Sequence, residues 1–172
     1  MTKNESIIPR TLAILVDNEP GVLARVIGLF SGRGYNIDSL TVTEVDHDAR
    51  LSRITIETRG TERVLMQIQA LLARLVPVHE VINISACENI RRDLALVKVV
   101  AQGERRVEAL RIADLFKADA VDAGLEHFVF ELAGAPETID RFVKLMSQLG
   151  LCELSRTGVA AMTRGAHPVE PC

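Results

Sequence analysis

The sequence predicts an α+β chain of two βαββαβ units in tandem, each a four-stranded antiparallel sheet with two helices on one face. Three observations point there. Apolar residues alternate between strand period and helix period in the same order twice, the second pass follows the polar stretch "ACENIRRD", and 172 residues divide into two copies of about 80.

The run "LAILV" at residues 12–16 is short and wholly apolar, as in a strand buried on both faces. It stops at "DNEPG". Pro20 suits the first helical position, where its missing N–H has no partner to lose and its fixed φ is already helical. Val22, Leu23, Val26, Ile27 and Phe30 then recur at helical spacing, and Gly34 supplies a residue able to take positive φ where the helix ends. In "NIDSLTVTEVDHDARLSRITIETRG", Leu40 and Val42 alternate with polar neighbours and so do Ile54 and Ile56. The cluster Asp46, His47 and Asp48 between them reads as the loop of a hairpin. A second helix starts near Thr61 with Val64, Leu65, Ile68, Leu71, Leu72 and Leu75 as its stripe, Pro77 ends it, and Val78, Ile82 and Ile84 form the fourth strand.

After "ACENIRRD", read as a linker, the order repeats. "LALVKVVA" is a strand, Val107, Leu110, Ala113 and Phe116 lie on a helix, and "DAVDAG" with "HFVFEL" forms a hairpin whose Phe128 and Phe130 point into the core. Pro136 opens a helix carrying Ile139, Phe142, Val143 and Met146, and "LCELSRTG" closes the sheet. The expected domains are residues 1–86 and residues 87–172, the second a ferredoxin-like copy of the first ending in a mobile tail, "RGAHPVEPC". Its first strand-to-helix turn, "AQGERRVEAL", has no counterpart of Asn18, Pro20 and Gly21.

Composition narrows the function. With 48% hydrophobic and 25% charged residues and a net charge of −3, the chain is an ordinary globular protein. Charge is balanced in both halves, nine basic against ten acidic side chains in residues 1–85 and eleven against thirteen in 86–172, so the positive excess used for nucleic acid or anionic membranes is missing. One Tyr, five Phe and no Trp make an RNA-stacking platform on the open sheet hard to build. "MTKNESIIPR" has no signal-like apolar stretch, and no run of about 18 apolar residues occurs, which gives a cytoplasmic expectation. Cys87 and Cys152 are expected as reduced core or near-core thiols and Cys172 on the tail. The four histidines, His47, His79, His127 and His167, lack metal-type spacing, so no metal site is expected. No Ser or Cys has the setting of a catalytic nucleophile, and no catalytic residue is proposed.

The "DNEPGVLARV" turn admits two accounts from its residues alone. In one, Asn18 and Glu19 serve the turn, and Pro20 and Gly21 punctuate it. In the other, the helix N-terminus offers unpaired N–H groups and partial positive charge to a carboxylate, Gly21 lets a ligand approach the backbone, and Asn18 both donates and accepts. Those are the needs of an α-amino acid. A second asparagine, Asn36 in "GRGYNI", lies past the far end of the helix, about 20 Å away at about 1.5 Å per residue over some 13 residues. It could complete such a site only from a second subunit.

"LVDNEPGVLARVIGLFSGRGYNIDSLTV" with "LSRITI" closely resembles the N-terminal ACT domain of the small, regulatory subunits of acetohydroxyacid synthase (acetolactate synthase). "RDLALVKV" and "RTGVAAMTRG" also look like that family, so the resemblance spans essentially the whole chain. It implies a non-catalytic protein of branched-chain amino acid (valine and isoleucine) biosynthesis: an N-terminal ACT domain and a C-terminal ACT-like one, a homodimer through the ACT domains, and allosteric feedback inhibition by valine or another branched-chain amino acid bound between them. It further implies association with, and activation of, a catalytic subunit that would carry thiamine diphosphate, magnesium and FAD, with no cofactor on this chain. By position, Asn18, Gly21 and the backbone of Val22 and Leu23 match the part that holds the effector's main-chain groups, and Asn36 and Ile37 the part contributed across the dimer. The alternative is a stand-alone ACT amino-acid sensor acting on another enzyme or regulator, with an RNA-binding module a distant third.

Overall fold

A computed structural model describes residues 6–166. The chain forms two compact units, one of residues up to Ile90 together with the described residues 159–166, the other Arg91–Gly158. The division thus falls four residues after the predicted 86/87 boundary, and the C-terminal segment belongs with the first unit rather than the second.

In the first unit the chain runs β1 (Ile8–Asp17), α1 (Val22–Ser31), β2 (Ser39–Asp46), β3 (Leu51–Gly60), α2 (Glu62–Leu72) and β4 (Val78–Asn83). The sheet order is β2-β3-β1-β4, all antiparallel. β1 is central, which explains its unbroken apolar run: Leu12, Ile14 and Val16 face the helices and are almost completely buried. Val26 and Phe30 of α1 and Leu65, Ile68 and Leu72 of α2 close on them. Each such aliphatic side chain stabilises the unit by about 1.5–3 kcal/mol of transfer free energy. Thr61 caps α2, its side chain accepting from the Val64 N–H. Ile84, expected in the last strand, begins a single 3-10 turn, Ile84–Ala86.

The other face of this sheet is covered by a segment absent from the sequence reading. β9 (Ala160–Thr163) follows Val159, which packs with Ala161 on Ala13, Ile82 and Ile84. The Val159 N–H donates to Ser39 Oγ at 2.8 Å, Thr41 Oγ1 donates to the Val159 carbonyl at 3.2 Å, and Arg53 donates to the Ala161 carbonyl at 2.7 Å. Burial lowers the Arg53 guanidinium's pKa from its ordinary value. Most of the expected mobile tail, from residue 167 on, lies outside the described residues.

The second unit repeats the plan with β5 (Asn89–Val100), α3 (Gly103–Phe116), β6 (Asp119–Ala123), β7 (His127–Gly134), α4 (Pro136–Met146) and β8 (Leu151–Arg156), its strands ordered β6-β7-β5-β8. Pro136 opens α4 as expected, and Phe128 and Phe130 are buried. "NIRRD", expected in a linker, is the first part of β5. Asp93 explains why: it is 4% exposed and would be costly there alone, but Arg156 Nε donates to it at 2.7 Å and Thr157 Oγ1 at 3.1 Å. Burial pulls the Arg156 pKa down, yet its bonds to Asp140 and Asp93 outweigh this and leave it raised. α3 buries Ala109 and Ala113, while Val107 and Leu110 face solvent. The chain's small residues, not its larger ones, let this helix lie close to the sheet. Cys152 is free but exposed rather than near the core, like the rest of the outer strand β8 from Cys152 to Arg156. Cys87 is disulfide-bonded, not reduced as expected.

Candidate functional site

Glu19, Pro20, Gly21 and Val22 form a tight turn closed by the Val22 N–H donating to the Glu19 carbonyl at 3.3 Å. Gly21 sits at φ +87°, ψ −8°, the third position of a type II turn, with Pro20 at the second. Pro20 is therefore not the first helical residue. Gly21 is the N-cap, its carbonyl accepting from Arg25 N–H at 3.1 Å, because only a residue without Cβ takes this left-handed conformation cheaply.

The turn is pinned from both sides. Asp17 N–H donates to the Pro77 carbonyl at 2.9 Å, and the Asp17 carboxylate meets His79 Nε2 at 2.6 Å. The Asn18 N–H donates to the Arg50 carbonyl at 2.7 Å, tying the turn to the β2–β3 loop. Arg50 itself takes a positive φ of 52°. What sets this helix start apart is its missing acid: α2, α3 and α4 carry Glu62, Glu104 and Glu137 in their first turns, whereas α3 and α4 lack a side-chain cap as well. No side chain caps α1, no acidic residue lies in its first turn, and Asn18, Gly21 and Leu23 are exposed while Val22 is buried. Such a first turn, with no carboxylate of its own and only the Val22 N–H engaged by the Glu19 carbonyl, can receive an anion from outside.

Asn36 is exposed and Ile37 half-buried against the core. Asn36 donates its side-chain amide to Asp38 Oδ1 at 2.6 Å, and its backbone carbonyl accepts from Thr58 Oγ1 at 2.6 Å. Asp38 in turn pairs with Arg59 at 2.8 Å. The sheet register fixes where this cluster lies. Thr58 is opposite Arg10 on β1, whereas Asp17, next to Asn18, is opposite Leu51. Seven strand residues at about 3.4 Å each separate the two levels by about 24 Å. Within one chain Asn18, Gly21, Val22 and Leu23 come together, and Asn36 and Ile37 stand at the other end of the sheet. Arg50, Asp38 and Thr58 hold the two asparagines; Arg50 and Thr58 are revealed only by long-range contacts, whereas Asp38, two residues past Asn36, is a local partner that the sequence offered.

The second unit's corresponding turn differs from expectation in one respect. Gly103 takes φ +57° at the start of α3, so a left-handed glycine is kept there, although Asn18 and Pro20 have no equivalent. Its first helical turn carries Glu104. Among the described residues no group of histidine, cysteine or acidic side chains could hold a metal, and no helix is long and apolar enough to cross a membrane.

Comparison with known proteins agrees with both halves of the chain. Residues 12–80 match a family described as the AHAS small subunit-like ACT domain, and residues 92–165 match the family "Small subunit of acetolactate synthase". A probable acetolactate synthase small subunit of Archaeoglobus fulgidus is 42% identical over 90% of this chain and 96% of its own. The acetolactate synthase isozyme 3 small subunit of Escherichia coli is 41% identical over 91% and 96%. The crystal structure of the acetolactate synthase small subunit of Thermotoga maritima superposes with a TM-score of 0.82 at 32% identity, covering 93% of this chain and 99% of that one.

Proposed function

Since the chain belongs to the family of acetolactate synthase small subunits, we propose that it is the non-catalytic, regulatory partner of an acetolactate synthase catalytic subunit, raising that subunit's activity and making it sensitive to valine. Thiamine diphosphate, magnesium and FAD would belong to the catalytic subunit, and the complex would work in the cytoplasm on the way to branched-chain amino acids.

The observation that carries this reading is the α1 start: a left-handed Gly21 and a first turn with neither cap nor acid. The effector's carboxylate would meet the N–H groups there, with the Asn18 amide beside it. Its ammonium and side chain would meet Asn36 and Ile37 of a second copy. The dimer this requires is supported by the sheet edge. β2 is an outer strand with Val42 and Val45 45% and 50% exposed, and its unpaired backbone groups suit addition of another strand. Pairing two β2 strands antiparallel about a two-fold axis sets the start of one, just after Asn36, beside the end of the other, at the Arg50 level where Asn18 is held. Each dimer would then hold two sites, each built from both chains.

Inhibition follows by linkage. Valine that binds one arrangement of the dimer more tightly than another shifts the complex toward it by no more than that difference in affinity. Calorimetric titration with valine, leucine and isoleucine, with and without the catalytic subunit, tests the reading. Heat of binding with at least one, accompanied by inhibition of the complex, is expected; silence with all three, or a pull-down that recovers a different enzyme, would overturn it.

A further inference from the structure

The hydrogen bonds around Asn36 decide which of its amide atoms a ligand can meet. Its side-chain nitrogen donates one N–H to Asp38 Oδ1 at 2.6 Å, and Asp38 Oδ2 is held by Arg59 Nε at 2.8 Å. The Asp38 N–H donates to the Glu57 carbonyl at 2.8 Å, fixing the carboxylate's own position. Thr58, completely buried, anchors the Asn36 backbone through its hydroxyl at 2.6 Å. Turning the amide over would set its oxygen against a carboxylate, so the orientation is set by charge. The side-chain oxygen is left to a ligand as an acceptor, beside the amide's second N–H, and the charge-assisted bond on the nitrogen polarises the amide and strengthens that acceptor.

We propose that Asp38 and Thr58 are positioning residues that orient Asn36 as an acceptor for the effector's ammonium, and so make the site select an α-amino acid over the 2-oxo acid of the same carbon skeleton. The inference rests on the effector reading above. An α-amino acid and its 2-oxo acid share carboxylate and side chain; they differ only where one donates and the other accepts. Against a fixed Asn36 oxygen the ammonium forms a hydrogen bond, while the oxo group meets a lone pair. Arg59 neutralises Asp38, so the acid that orients Asn36 does not repel the effector's carboxylate.

Calorimetry on the full-length protein with L-valine and with 3-methyl-2-oxobutanoate tests this. The wild type should prefer valine by about tenfold or more, the worth of one hydrogen bond gained against one acceptor left facing another. In Asp38→Ala the amide is free to turn over and donate, so valine should weaken by roughly three- to tenfold while the oxo acid holds or improves, and the preference collapses. Thr58→Val, nearly the same shape, should weaken valine by a few-fold, with Thr58→Ser restoring it; this pair serves if Asp38→Ala melts early. An unchanged preference in Asp38→Ala, an equal loss for both ligands, or Thr58→Val indistinguishable from wild type would overturn the inference while leaving the effector site standing. Wild type that binds no branched-chain amino acid would overturn the effector site and this inference with it.

Discussion

The same chain builds the strand-to-helix turn twice and equips it differently. Residues 18–21 join β1 to α1, and residues 101–102 join β5 to α3. Each junction has a left-handed glycine, Gly21 at +87° as the N-cap of α1 and Gly103 at +57° as the first residue of α3, and neither has an atom within 4 Å of where a Cβ would lie. Around that shared feature the chemistry diverges. The first turn adds Asn18 and leaves α1 without an acid; the second puts Glu104 in the first turn of α3 and engages Gln102 with Glu126 at 2.7 Å. A helix N-terminus with its own carboxylate has already answered its dipole, and one without still can bind a ligand's. The left-handed glycine is thus common to both units, whereas the missing acid is particular to the turn proposed to hold the effector.

Placing an acid in the first turn of α1 has the largest expected effect. Leu23→Glu should lower valine affinity by about tenfold or more through charge repulsion at close range, while the favourable dipole interaction keeps the melting temperature within a few degrees of wild type. Calorimetry and a thermal melt read the two effects, which run in opposite directions for site and fold. Gly21→Ala and Gly103→Ala should each cost about 1–2 kcal/mol in denaturant unfolding, because alanine pays the left-handed strain in both turns. Only the first should also weaken valine, since the proposed effector site lies at that turn alone. Thr61→Ala, removing the cap that α2 has and α1 lacks, should cost about 1 kcal/mol without touching valine binding. Smallest of all, Glu104→Gln should destabilise by about 0.3–1 kcal/mol and create no second valine site, as no asparagine stands beside that turn.

Much of the architecture was legible because it is written in local patterns. Pro136 and Thr61 mark helix starts by chemistry that acts within four residues, and the runs around Ile14, Ile54 and Phe130 carry the strand signal themselves. What stayed hidden depends on partners far along the chain. "NIRRD" reads as a linker until Arg156 and Thr157 satisfy Asp93, and "GVAAMT" gives no sign that Ser39, Thr41 and Arg53 await it. On α3 the buried face is made of Ala109 and Ala113, too small to outweigh Val107 and Leu110 in any periodicity. Pro20 was misplaced by one turn position because a proline fits both the second place of a type II turn and the first of a helix, and only Gly21's φ distinguishes them.

The candidate site divides in the same way. Asn18, Gly21 and Asn36 stand out as residue types in unusual company, and the length of α1 alone shows that the two asparagines are too far apart to serve one ligand within a chain. The orientation of Asn36 went unread: Asp38 lies only two residues on, but the anchor that fixes the Asn36 backbone, Thr58, comes from a strand 22 residues away.

Mixing two crippled chains tests the central claim, that each amino-acid site is built from two copies. Asn18→Ala and Asn36→Ala should each abolish measurable valine binding alone. A dimer formed from one of each would contain one site with both asparagines intact and one with neither. After the two are unfolded together and refolded as a mixture, calorimetry should find valine bound at wild-type affinity, at about one site per mixed dimer. A mixture as silent as its components would contradict the account, placing both asparagines' work within a single chain or outside the site altogether.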